Sequence, residues 1–397
     1  MEKFRRIALL ICVAVFSADS VCVADTFTNR KSGEVLHGYA TSKTQNGKKA
    51  VHTQFKGVVD INPADWRITA DRLGRNNKVI VLTINSDIMR AIETDALIEA
   101  ITKASDQGPL LILIEMDTPG GRTDYARRIC TTIANSCTVV AFIKAGKYGG
   151  AMSAGTAIAF ACDRIYMTPN TVIGDAAPVA YSGSGVKNLG DVYTGVMAEK
   201  IVSAWQTYLA SLAEHNHRPA LLARAMADEN LEVIEVSGAQ KKLFIEPINK
   251  LPQQDIVQTW SKKGSLLTLT AEQAAECGIA DKVVSTRAEV LRDLQAGNAQ
   301  VVEDDSFQRA GRQFARAKRI FNKLAKSLDL KVKQFKQAPT RMRAVKMLGE
   351  IRKDYKSLIS LAKHYSDLHV DVNELEKQLN TVEAYYQEAK MRNFRRR

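Results

Sequence analysis

From residue 79 onward the apolar positions switch repeatedly between strand and helix periods. Residues 79–84 form a β-branched run, and 109–116 form a continuous apolar run (Leu110-Leu111-Ile112-Leu113-Ile114) of the kind covered on both faces of a parallel sheet. Between them, Leu97, Ile98 and Ile101 fall at helical spacing within 94–105. The alternation continues with a helix at 124–134, a strand at 138–143, a small-residue helix at 151–161 and a strand at 163–167. A long helix follows at 199–214, with Ile201, Trp205, Leu209 and Leu212 on one stripe. Helices at 220–227, 270–277 and 287–294 and strands at 232–236, 242–246 and 280–284 complete the series. Repeated strand–helix units predict an α/β domain on a largely parallel sheet, spanning residues 77–294.

The flanking regions follow other patterns. Residues 25–76 carry short alternating runs at 35–40 and 50–55 across Asn46-Gly47, a hairpin signal, then at 58–61 and 66–68; they predict a small β unit. Residues 305–397 have no strand pattern. Phe307, Phe314, Phe321, Leu324 and Leu328 recur near heptad spacing in a helix broken at Pro339. A second helix is predicted from 340 to 363, and a third from 372 to 392 with Leu375, Leu379, Val382 and Tyr386 on one stripe. Antiparallel, coiled-coil-like packing buries such stripes. Residues 1–24 read as an export signal: Lys3, Arg5 and Arg6, an apolar run at 7–16, and Cys22-Val23-Ala24 as a cleavage pattern. No later run reaches about 18 apolar residues. The expected product is exported, periplasmic or secreted, and at most associated with a membrane.

Composition changes this picture at three points. Hydrophobic residues make up 45% of 397, enough for a sizeable core, and exclude a globally disordered or fibrous chain. The net charge of +13 is carried entirely by residues 305–397, which hold 23 Lys and Arg against 10 Asp and Glu. The basic character therefore describes this appendage and not the α/β domain. It suits an anionic membrane or cell-wall surface, or a solvated self-assembly helix; nucleic acid is not an expected partner of an exported protein. After the leader, Cys130, Cys137, Cys162 and Cys277 remain, and buried thiols are favoured over disulfides, which export would permit. No C-x-x-C occurs and the six histidines are scattered, so neither metal nor other cofactor is predicted.

The candidate chemistry lies in two glycine-rich turns. Gly149-Gly150-Ala151-Met152-Ser153-Ala154-Gly155-Thr156 follows a strand and opens a run of small residues. Ser153 is a candidate nucleophile, although its local pattern taken alone favours a small helix N-cap. Gly150 permits a tight turn, and the Ala154 N–H at a helix start faces where an oxyanion develops. Asp117-Thr118-Pro119-Gly120-Gly121 follows the buried run directly. It exposes bare backbone at the carboxyl end of a parallel strand, where α/β sites form. Gly120 would then line a substrate groove, and the Gly121 N–H would be a second oxyanion donor.

At these residues the chain resembles the NfeD-type, membrane-associated ClpP-class serine proteases, and more distantly ClpP and signal peptide peptidase A. The matching blocks are residues 115–121, 150–156 and 167–174 with Pro178-Val179, then 266–274 and 278–281. The resemblance implies a ClpP/crotonase-like β-β-α core and a Ser–Lys dyad, with Ser153 as nucleophile and Lys200, on the long helix, as base. Ile201, Val202 and Trp205 on that helix could supply the apolar setting a lysine base requires. Rival bases are Lys144, Lys147, His215 and His217; Asp175 places a carboxylate nearby in sequence. The resemblance also implies an apolar peptide or protein substrate and a homo-oligomer. Where the family's membrane-bound members continue into transmembrane helices and a small β-barrel, this chain has the basic helices. Two other readings keep the same residues: a crotonase-like acyl-thioester enzyme, and a non-proteolytic scaffold held to anionic surfaces by its helical region.

Overall fold

The computed structural model describes residues 25–45, 47–53, 57–70, 76–182, 185–187, 189–237, 242–338 and 340–394. The predicted export signal, Asn46 of the hairpin turn and the terminal arginines lie outside them. The described chain divides into two compact units. One comprises the residues up to Asp87 together with Ala100–Asp304; the other comprises Ile88–Glu99 with Asp305 onward.

The first unit begins with an antiparallel sheet of β1 (Asp25–Asn29), β2 (Val35–Gln45), β3 (Lys48–Thr53), β4 (Gly57–Ile61) and β5 (Trp66–Ala70), in the order β4-β3-β2-β1-β5. Phe27, Leu36, Val51, Ile61 and Trp66 form its core. Each such side chain removed from water contributes about 1.5–3 kcal/mol. β1 was not anticipated, because its single apolar residue, Phe27, gives no alternation to detect.

The main sheet has six strands in the order β18-β10-β8-β7-β6-β19, all parallel. They are β6 (Asn76–Ile84), β7 (Pro109–Met116), β8 (Val139–Ile143), β10 (Arg164–Met167), β18 (Lys282–Val283) and β19 (Gln300–Asp304). Helices α1 (Ala91–Asp106), α2 (Thr123–Ala134) and α3 (Ala154–Ala161) follow β6, β7 and β8. β7 and β8 are apolar and buried along almost their whole length, as strands covered on both faces must be.

A second layer makes the fold more than an open α/β sheet. β9 (Gly150–Met152) and β11 (Val172–Gly174) pair in parallel, and β17 (Thr268–Thr270) adds antiparallel to β11. Thr118 bridges Ala151 in parallel on the other side of β9. Each of β7, β8 and β10 thus leads into a short segment of a second sheet, which is the β-β-α repeat of the predicted ClpP/crotonase-like class. The remaining elements are β12 (Ala180–Ser182) and β13 (Gly185–Lys187), α4 (Leu189–Val192), α5 (Gly195–His215), α6 (Ala220–Ala225), α7 (Ala271–Glu276) and α8 (Arg287–Asp293). A small sheet of β14 (Val233–Val236), β15 (Leu243–Ile245) and β16 (Ile256–Ser261) completes the unit.

The predicted helix over 151–161 requires correction. Residues 150–152 are strand β9, and the helix starts only after Ser153. Ala-Met-Ser-Ala-Gly has no periodicity, so the small residues hid a strand-to-helix switch.

The second unit is helical, with α9 (Ser306–Lys336), α10 (Arg341–His364) and α11 (Val372–Phe394). Leu328, Ile351, Tyr355 and Leu358 form its core, with Phe321, Leu324, Leu375, Leu379 and Val382 packed around them. Thr340 caps α10 by accepting the Arg343 N–H. Asp367 accepts the Ala91 N–H at 2.9 Å, at the start of α1.

Candidate active site

Ser153 lies between β9 and α3 with φ 54° and ψ −119°. A non-glycine residue there costs on the order of 1–3 kcal/mol and persists only where its neighbours over-determine it. The strand, the strained residue and the helix together make a sharp elbow at Ser153. The hydroxyl makes no capping bond and is half-buried. The fixed backbone comes from β11: the Ser153 N–H donates to Gly174 O at 3.0 Å, and the Thr156 hydroxyl donates to Gly174 O and accepts the Gly174 N–H.

The Pro119-Gly120-Gly121 turn crosses close to this elbow. Thr118 N donates to Gly150 O at 2.8 Å and Met152 N to Thr118 O at 3.1 Å. The Thr118 hydroxyl accepts the Gly120 N–H at 3.1 Å and donates to Ser86 O. A methyl placed on Gly120 would lie 2.5 Å from Ser153 Cβ, 2.6 Å from Met152 O and 2.8 Å from Ala154 N. Only a glycine allows this approach. The Ala154 N–H begins α3 and has no partner among the described residues. Gly120, Ser153 and Ala154 therefore meet at one point, with the Ala154 N–H beside the Ser153 elbow and Gly121 next in the chain. Gly150 is held equally tightly, since a methyl there would meet Val172 O at 2.1 Å.

One residue that sequence reasoning passed over organises the turn before Ser153. The Asp117 carboxylate accepts the Tyr148 N–H at 3.1 Å and the Gly150 N–H at 3.3 Å. It also lies where a side chain on Gly146 would stand. A carboxylate between a buried strand and Pro-Gly-Gly was the available signal, because such groups commonly bind neighbouring backbone donors.

The proposed bases fall at different places. Lys144 donates to Glu115 at 2.9 Å, and Arg287 donates to the same carboxylate at 2.6 Å. Burial pushes the Glu115 carboxyl up, but the Arg287 and Lys144 bonds and charges outweigh it and hold it below its ordinary value. Lys147 is exposed against the Tyr148 ring. Asn216, between His215 and His217, donates to Phe160 O at 2.7 Å, near the far end of α3. That is seven residues, about 10 Å, along the helix from Ser153. Lys200 is exposed on α5. Five residues further on, the buried Trp205 indole donates to Ala176 O at 2.8 Å, close after the Gly174 carbonyl that holds Ser153. Lys200 is about 7.5 Å along α5 from that anchor and forms no ion pair among the described residues. Ile201 and Val202 beside it are half-buried. Asp175 is exposed at φ 45°.

Cys130, Cys137, Cys162 and Cys277 are buried and not joined in disulfides. Burial pushes the Cys277 thiol up to about 11. Among the described residues no cluster of His, Cys, Asp and Glu has metal-binding geometry, and no helix is long and apolar enough to cross a membrane.

Residues 78–251 match the family model for the NfeD1b N-terminal domain. The membrane protein NfeD1b of Bacillus subtilis is 26% identical over 224 residues, which is 56% of this chain and 42% of that protein. The membrane-bound protease PH1510 of Pyrococcus horikoshii is 33% identical over 136 residues, 34% of this chain and 29% of that protein. The chain thus spans less than half the length of either curated relative. A solved structure of a mutant 1510-N membrane-bound stomatin-specific protease is 24% identical, aligns over 58% of this chain and 98% of that one, and has a TM-score of 0.43. The stretch that carries both glycine turns and the strained serine between β9 and α3 is thus similar, over residues 78–251, to the N-terminal domain of NfeD1b.

Proposed function

We propose that the protein is a serine peptidase whose nucleophile is Ser153 and whose base is Lys200. The observation that carries this is the strained Ser153 pressed against Gly120 with a free Ala154 N–H beside it. The relatives named as proteases support the same reaction class. In the reaction, Ser153 Oγ attacks the peptide carbonyl carbon and its proton passes to the Lys200 amine. The oxyanion is held by the Ala154 and Gly121 N–H groups. Collapse breaks the C–N bond, the leaving amine takes the proton, and water then hydrolyses the acyl-enzyme ester.

A lysine acts as a base only when its ammonium is desolvated. Between Gly174 and Lys200 the chain exposes Val179, Val192, Tyr193, Val196 and Met197. An extended apolar peptide lying over these residues would cover Lys200 too, which supports apolar segments as substrate and places assembly of the dyad at substrate binding. Export by residues 1–24 and a homo-oligomeric state belong to the same proposal.

A fluorophosphonate probe tests it. Ser153 should be labelled, Ser153→Ala should not be, and Lys200→Ala should label far more slowly in the presence of an apolar peptide substrate analogue. Undiminished labelling of Lys200→Ala would remove lysine from the mechanism.

A further inference from the structure

Seven of the 23 basic residues in 305–397 lie on one face of α9. Arg309, Arg312, Arg316, Arg319, Lys323, Lys326 and Lys333 follow each other at steps of three and four, with the step to Lys333 doubled across Leu330. At 100° per residue this is one stripe, about 36 Å long over nearly seven turns. The apolar face, with Phe307, Phe314, Phe321, Leu324 and Leu328, lies on the opposite side of the helix. At the stripe's ends the charge is partly answered: Asp305 pairs with Arg309 and Arg312, and Asp329 with Lys333. In the middle, Arg316, Arg319, Lys323 and Lys326 are exposed and have no acidic partner among the described residues. A stripe assembled only for solubility is expected to interleave both signs; this one holds four cations within about 15 Å of helix.

Two apolar side chains share this side. Leu330 continues the stripe and is 59% exposed, and Ile320 flanks it at 43%. Side chains of this kind gain little from a soluble polyanion but can enter the acyl boundary of a lipid layer. We propose that this face of α9 docks on an anionic phospholipid surface, with the four central cations against headgroup phosphates and Leu330 and Ile320 inserted between them. The proposal is independent of the chemistry at Ser153.

Co-sedimentation of the full chain with vesicles tests it. Wild type should bind vesicles of phosphatidylcholine with 30 mol% phosphatidylglycerol and not phosphatidylcholine alone, and about 0.5 M salt should release it. Each neutralised cation near such a surface weakens partitioning roughly fivefold. The combined variant Arg316→Gln, Arg319→Gln, Lys323→Gln and Lys326→Gln should therefore lose binding by at least about a hundredfold. An equal charge change off the stripe, Lys318→Gln with Arg343→Gln, Lys346→Gln and Lys353→Gln, should cost far less. Unaltered helical circular dichroism and melting temperature would show that both variants are folded. Equal losses from the two variants would reduce the stripe to net charge and overturn the proposal. Leu330→Ser should weaken vesicle binding but leave heparin binding unchanged; tight heparin binding with no effect of Leu330→Ser on vesicles would assign the stripe to a soluble polyanion instead.

Discussion

Gly120→Ala is the sharpest perturbation of the site. Two costs are legible. Gly120 has φ +95°, where a Cβ is strained by about 1–2 kcal/mol. Its methyl would also enter contacts of 2.5, 2.6 and 2.8 Å with Ser153 Cβ, Met152 O and Ala154 N. None of these atoms belongs to the free end of a flexible side chain, so relief requires the turn and the elbow to move apart, at about 1–3 kcal/mol for such overpacking. A separation near 1 Å in a catalytic constellation costs about a hundredfold in rate, and loss of an oxyanion donor about a hundred- to a thousandfold. The expected result is a lowered melting temperature and fluorophosphonate labelling of Ser153 slowed by at least about a hundredfold. Gly149→Ala is the control. It shares the positive φ, at +78°, but its methyl would meet nothing within 4 Å. It should lose about 1–2 kcal/mol of stability from strain alone and keep a labelling rate close to wild type. Labelling of Gly120→Ala at the rate of Gly149→Ala would show that the close approach has no bearing on the nucleophile.

Two further predictions concern groups away from the elbow. Glu115 has its ionisation held below the ordinary value by Arg287 and Lys144, so its contribution to stability is complete above about pH 4.5 and is lost as pH falls through the depressed folded value; acid unfolding of Glu115→Gln should be less steep in that window, and an unchanged acid limb would deny the pair that role. Cys130, Cys137, Cys162 and Cys277 are buried, and the Cys277 thiol is raised to about 11, so iodoacetamide at pH 8 should leave all four unmodified until denaturant is added; peptide mass mapping of the native protein would expose any exception.

The core of this architecture could be read from sequence because its strands are long and apolar. Residues 109–116 matched β7, and the stripe of Trp205, Leu209 and Leu212 marked the buried face of α5. What escaped was short or polar. β17 has three residues, and β19 reads Gln-Val-Val-Glu-Asp at a sheet edge where half of its side chains face water. The site was half visible. Glycines and a serine announced two turns, but their meeting depends on β9 pairing beside Thr118, a long-range contact with no local trace. Asp117 was overlooked for the same reason, since its partners are backbone N–H groups some thirty residues away. Lys200 had no local signature at all; a solvated lysine on a helix looks the same whether or not it later meets a serine.

β19 sets a practical limit on how this chain can be shortened. It pairs with β6 over five consecutive residues, Gln300 to Lys78 through Asp304 to Leu82. Cutting the chain after α8, where the strand–helix alternation ends, would strip that pairing and leave the backbone donors and acceptors of β6 open beside Val79 and Val81. A bare parallel edge of this kind recruits strands from other molecules. A fragment ending at Leu294 should therefore precipitate or form mixed aggregates, whereas one ending just beyond Asp304 keeps its edge covered.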